Sequence, residues 1–103
     1  MKNFIKKLIS PLAIKYFHYL WWQSIDTWPK NTYLGYEILQ CPLDLQLYQE
    51  IIFNEKPEFI IQTGVCAGGS IVYFSSILDM MNAPDANKVI GIDVHLSDQS
   101  KTI

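Results

Sequence analysis

Three glycines, Gly64, Gly68 and Gly69, stand close together, and Ser70 follows them directly. Where a strand turns sharply into a helix, backbone must approach a bound molecule closely, and a Cβ obstructs that approach. A helix starting near Ser70 offers unpaired backbone N–H groups and the positive end of its dipole. Further on stands Asp93, behind the apolar run Val89-Ile90-Gly91-Ile92. A carboxylate at a strand end can accept hydrogen bonds from both vicinal hydroxyls of a ribose, which fixes an adenosine moiety.

Three ligand classes compete for such a turn. A phosphate-binding loop needs a lysine after Gly69, and Ser70 stands there; without it the β/γ-phosphate charge has no partner. A dinucleotide fingerprint needs a second glycine at position 66, where the pyrophosphate comes close, and Cys66 occupies it. S-adenosylmethionine carries no phosphate, tolerates a looser turn and still uses the ribose acid, so it fits best. A strand-to-helix turn with no ligand stays open on these residues alone.

The elements around the turn follow from apolar spacing. Phe59-Ile60-Ile61 reads as a strand of the kind buried on both faces of a parallel sheet. Ser70–Met81, with Phe74, Ile77, Leu78 and Met81 on one side, reads as a helix of about three turns. Asn82–Asn87 is a polar loop, and residues 89–92 form a second strand. Strand, glycine turn, helix, strand and acid make the first β-α-β unit of a doubly wound α/β domain over residues 58–103. Residues 27–57 supply a loop and a helix leading into it. Trp28-Pro29, Asn31-Thr32 and Gly35 form turns, with a short extended piece around Tyr36–Leu39. A helix opens at Cys41-Pro42-Leu43-Asp44 with Asp44 as N-cap, and Pro57 stops it. Residues 1–26 read as amphipathic helices, two of them meeting at Ser10-Pro11. Their apolar pairs, from Phe4-Ile5 to Leu20-Trp21, suit packing on the same protein or a sister subunit, hence a homo-oligomer. Peripheral membrane contact is the less favoured reading.

Composition narrows the field. With 103 residues, 50% apolar and 17% charged, the chain is a globular sequence of one domain at most. Residues 1–30 carry five lysines against Asp26, and the remainder carries nine acids against three lysines. There is no arginine, the residue that reads guanine and grips phosphate in bidentate fashion, which argues against a nucleic-acid partner. Cys41 and Cys66 form no C-x-x-C pair; reduced thiols and a cytoplasmic location are the expectation. The lysines before Leu8–Ile14 imitate a signal peptide, but Pro11 and Lys15 interrupt the run and no cleavage site follows.

Taken together, Trp28, Leu34-Gly35, Cys41-Pro42-Leu43-Asp44, Tyr48-Gln49-Glu50-Ile51-Ile52, Lys56-Pro57, Ile60-Ile61-Gln62-Thr63-Gly64, Gly68-Gly69-Ser70 and Val89–Asp93 resemble the cephalosporin hydroxylase / rhamnosyl O-methyltransferase family. The resemblance runs from about Thr27 to Asp93. It implies a Rossmann-like class I methyltransferase fold, with an incomplete sheet in this chain. It implies S-adenosyl-L-methionine as cofactor and methyl transfer to a hydroxyl on a sugar or small-molecule acceptor. Cofactor-binding positions carried over are Gln62, Gly64, Gly68, Gly69, Ser70 and Asp93. Gln62 departs from the family, which usually has an acid there; weaker binding of the cofactor's positive methionine end is expected. Catalytic residues, and ligands for the divalent metal of full-length relatives, are expected beyond Ile103, so no metal site is expected in this chain.

Other polar residues have ordinary explanations. His95 reads as solvated and His18 as packing, while Glu50, Asp79 and Asp85 read as surface acids. Cys66 fills the turn, and Trp21, Trp22 and Trp28 suit packing. A lone β-α-β unit leaves sheet edge and apolar surface unpaired, so a marginally stable or self-associating chain is expected. The rival reading is a non-catalytic remnant or docking module that binds a partner subunit or a membrane.

Overall fold

The computed structural model describes residues 1–103. Helix α1 runs Lys2–Gln23, and a 3-10 turn Trp28–Lys30 follows. A small antiparallel hairpin pairs β1, Thr32–Tyr33, with β2, Tyr36–Glu37. Helix α2 is Pro42–Glu55. Strand β3, Phe59–Thr63, helix α3, Gly69–Met80, and strand β4, Lys88–Ile92, come next. A 3-10 turn at Ser100–Thr102 closes the chain.

Strands β3 and β4 pair in parallel, from Phe59 opposite Lys88 to Thr63 opposite Ile92. Parallel neighbours need a crossover, and α3 supplies it. Strand, helix and parallel strand therefore follow in the order expected for residues 58–103, in an α/β architecture. On the face toward α3, Ile60 and Val89 pack against Ile52 of α2 and Phe74 and Leu78 of α3. Gly91 lies on that face too. A Cβ there would come 2.7 Å from Val65 Cγ2 and 3.1 Å from Ile71 Cδ1, so the absent side chain lets α3 close on the sheet.

The opposite face corrects the expectation of a strand buried on both sides. Phe59 and Ile61 are 56% and 63% exposed, and Ile90 and Ile92 on β4 are exposed beside them. Alternation along a strand sends these side chains away from α3, and no element of the chain covers them.

Three further expectations are corrected. The first 26 residues hold one helix, not two meeting at Ser10-Pro11, because α1 passes through Pro11. A proline inside a helix leaves one carbonyl, four residues back, without its donor; here that is Lys7, on a helix with no buried residue, where water can serve instead. No residue of α1 is buried, so its stripe finds little cover within the chain beyond the packing of Trp22 on Trp28, ring centroids 5.8 Å apart. The radius of gyration is 16.7 Å, against about 13 Å for a compact chain of this length. Finally, α2 is capped by Cys41 rather than Asp44. Pro42 brings the φ that a first helical position needs and starts the helix earlier. Asp44 then sits in the first turn, where its charge faces the positive end of the dipole.

The hairpin is held to α3 by tyrosines. Tyr33 packs edge-on to Tyr73 with ring centroids 5.1 Å apart, and its hydroxyl is 2.8 Å from Ser76 Oγ. Tyr73 in turn donates its hydroxyl to the Leu45 carbonyl of α2. Partial burial, then the neighbouring Tyr33, raises the Tyr73 pKa above the usual phenol value, which keeps that donor protonated. The hairpin turn itself, Leu34-Gly35, has φ of +50° and +87°, the signature of a tight two-residue connection.

Candidate functional site

The loop between β3 and α3 begins as an extension of the sheet. Gly64 N–H donates to the Ile92 carbonyl at 2.9 Å, one step beyond the last strand pair. Gly64 then takes φ +77° with open space where a Cβ would stand. Cys66 adopts φ +52°, a conformation that L side chains rarely take. Gly68, at φ +91°, caps α3 and donates its N–H to the Val65 carbonyl at 3.0 Å.

Asp93 holds this loop. Its Oδ2 accepts from the Val65 N–H at 2.7 Å and from the Cys66 N–H at 3.0 Å. Its Oδ1 accepts from the His95 N–H at 3.1 Å. The backbone N–H of His95, then those of Cys66 and Val65, hold the carboxyl below the ordinary aspartate range. A carboxylate offers about four acceptor positions, so one stays free on a side chain that is partly exposed.

The glycines divide into two kinds. Gly64 faces open space, as a ligand-binding turn requires. The other two make room for the protein's own chain. A Cβ on Gly69 would strike the Glu37 carbonyl at the end of β2 and approach Ile38 Cβ to 2.8 Å. A Cβ on Gly68 would strike the Ile103 side chain and come within 3.4 Å of Ser100. The residues after β4 thus lie against the loop, and Ser97 Oγ donates to the Cys66 carbonyl at 3.2 Å.

Gln62, Gly64 and Ser70 come together at a small cavity of about 100 Å³, walled on the other side by Glu37, Ile38 and Gln40. Gln40, Gln62 and Gly64 also line a groove of about 550 Å³ between α2 and β3, floored by Ile60 and Phe74. Gln62 Nε2 donates to the Gly64 carbonyl at 2.9 Å, and its Oε1 is buried without a donor. Ser70 is 5% exposed in the first turn of α3. Asp93 lines neither cavity and reaches the site through the loop amides it holds.

The electrostatics favour a cation over a phosphate. Residues 59–78 contain no charged side chain, and the one charge bonded to the loop is the Asp93 carboxylate. No three His, Cys, Asp or Glu side chains gather into a metal-binding group. His95 is exposed and bonds Asp93 only through its backbone. Cys41 is buried and Cys66 exposed, both free. No helix is long and apolar enough to cross a membrane.

Gln40 went unnoticed in the sequence. Its only signal there is its place directly before Cys41-Pro42, at the point where the chain enters α2.

The chain is similar in sequence to known proteins. A rhamnosyl O-methyltransferase of Mycobacterium tuberculosis (strain H37Rv) is 33% identical over 76 residues, covering 74% of this chain and 30% of that protein. The rhamnosyl O-methyltransferase of Mycobacterium bovis BCG shows the same figures. That of Mycobacterium leprae is 28% identical over 81 residues, covering 79% of this chain and 34% of that protein. The chain therefore spans about a third of the length of these relatives. No solved structure matches it. The family described as Rhamnosyl O-methyltransferase/CmcI matches residues 26–103, and with that span of agreement the chain belongs to this family.

Proposed function

We propose that this chain forms the cofactor-binding part of an S-adenosylmethionine-dependent O-methyltransferase. Its fold is then the first β-α-β unit of a Rossmann-like class I domain, and the acceptor is a hydroxyl on a sugar, as the names of its relatives suggest, or on a related small molecule. The observation that carries this reading is the Asp93 carboxylate bonded across the loop to Val65 and Cys66, with Gly64 open beside it.

The residues fit the cofactor. Gly64 leaves space where a side chain would stand, and the buried Gln62 Oε1 lacks a donor. The loop's only bonded charge is negative, which suits a sulfonium and opposes a phosphate. Bound there, the cofactor supplies an electrophilic methyl group. Gln62 and Gly64 receive its methionine end, and the free position on Asp93 Oδ1 receives a ribose hydroxyl. Ser70 closes the turn from within α3. Asp93 also acts on geometry, since its bonds to the loop amides fix the path of residues 64–66. The chain's contribution to the reaction is orientation, which can account for several kcal/mol of a bimolecular barrier, on the order of 7–11 in favourable cases. None of the 103 residues is assigned as general base.

Isothermal titration of the full chain with S-adenosylmethionine tests this. Binding heat that disappears in Asp93→Ala supports the reading. A parent chain that binds none removes it.

A further inference from the structure

Two side-chain amides enclose the space beside Gly64, one of them unassigned until now. Gln62 leaves β3 and Gln40 precedes α2, and both line the small cavity and the adjoining groove. The orientation of Gln62 is fixed chemically. Its Nε2 donates to the Gly64 carbonyl, which can only accept, so Oε1 is the atom left over. That oxygen is buried with no donor, and so is Gln40 Oε1, on an amide whose Nε2 makes no bond and which can therefore turn its oxygen inward. Buried acceptors are normally bonded, and each exception calls for a missing donor.

The walls say what kind of donor is missing. Neither cavity has a lysine, arginine or histidine in its lining, whereas Glu55 lines the groove and Glu37 the small cavity. A group that donates several hydrogen bonds, accepts none and carries positive charge matches two orphaned oxygens in such a setting. A primary ammonium is that group.

We infer that Gln40 is a further cofactor-binding residue, whose amide oxygen joins that of Gln62 in receiving the ammonium of the cofactor's amino-acid end. This rests on the S-adenosylmethionine reading above. It predicts that affinity depends on Gln40 only for ligands that carry the ammonium.

The test compares S-adenosylmethionine with 5′-methylthioadenosine, which has the nucleoside and thioether but no amino-acid end. Both are titrated into the full chain and into its Gln40→Leu and Gln40→Glu variants. Gln40→Leu should weaken S-adenosylmethionine about tenfold, the effect of one hydrogen bond to a charged group. It should leave 5′-methylthioadenosine unchanged, which also shows that the variant is folded. Gln40→Glu, which keeps an acceptor and adds charge, should match or exceed the parent for S-adenosylmethionine. If the parent binds both ligands and both variants bind S-adenosylmethionine as the parent does, the role of Gln40 is overturned while the cofactor reading stands. Equal weakening of both ligands in Gln40→Leu also overturns it, because the residue would then act on the fold. A parent that binds neither ligand overturns the cofactor reading and this inference with it.

Discussion

Asp93 Oδ2 lies 2.7 Å from the Val65 amide nitrogen, joining the end of β4 to the loop that leaves β3. Backbone N–H donors stabilise the charged form of this carboxyl and lower its folded pKa, that of His95 most. Their contribution to stability is complete above the unfolded carboxylate pKa, about 4. It is lost as the pH falls through the lowered folded value. Thermal melts from neutral pH to about pH 3 should therefore show a decline that Asp93→Asn lacks in part. Parallel declines in parent and variant would remove the idea.

Gln62→Glu should act in opposite directions on binding and stability. The new carboxylate complements the cofactor's positive end, so affinity for S-adenosylmethionine should rise. It also replaces the donor that faces the Gly64 carbonyl, so the ligand-free chain should lose about 1 kcal/mol. Titration calorimetry and urea unfolding measure the two effects separately. Unchanged affinity would mean that position 62 does not meet the cofactor's charge.

Cys66 holds the φ expected of a glycine, +52°. Cys66→Gly relieves that conformation while loosening the unfolded chain, and these opposing effects should leave stability within about 1 kcal/mol of the parent. Cys66→Val, β-branched at positive φ, should cost about 1–3 kcal/mol. Urea midpoints in that order support the backbone geometry, and a Val variant as stable as the parent contradicts it.

The uncovered sheet face should make the chain associate with itself. Phe59, Ile61, Ile90 and Ile92 lie together and exposed, while only 11 of 103 residues are buried, too few to tolerate a bare apolar surface well. Sedimentation velocity should show a coefficient that rises with protein concentration, and Ile61→Lys should reduce the rise. A concentration-independent monomer with a cooperative melt would refute this.

The sequence made the β3-α3-β4 unit legible because its signals are local. Apolar runs at 59–61 and 89–92, glycines between strand and helix, and helical spacing through Phe74, Ile77 and Leu78 each stand within one element. That Asp93 stands beside the loop was legible, although its bonds to Val65 and Cys66 were not. The hairpin was hidden because its strands are two residues long and a leucine, not the usual asparagine, takes the first positive φ of its turn. The reach of α1 through Pro11 was hidden because a proline marks a helix start and a tolerated interior break alike. Gln40 was invisible for a different reason. The role inferred for it rests on a cavity shared with residues more than twenty positions away, and no local pattern encodes that.

Gly69 faces a seat that any Cβ would need. What fills it is the main-chain carbonyl of Glu37, an atom every amino acid possesses, while the Glu37 residue is itself exposed. The seat thus constrains only the course of the strand at 37, whereas 69 admits no alternative to glycine. Two touching positions answer to opposite rules, one fixed by its trajectory and the other by its identity.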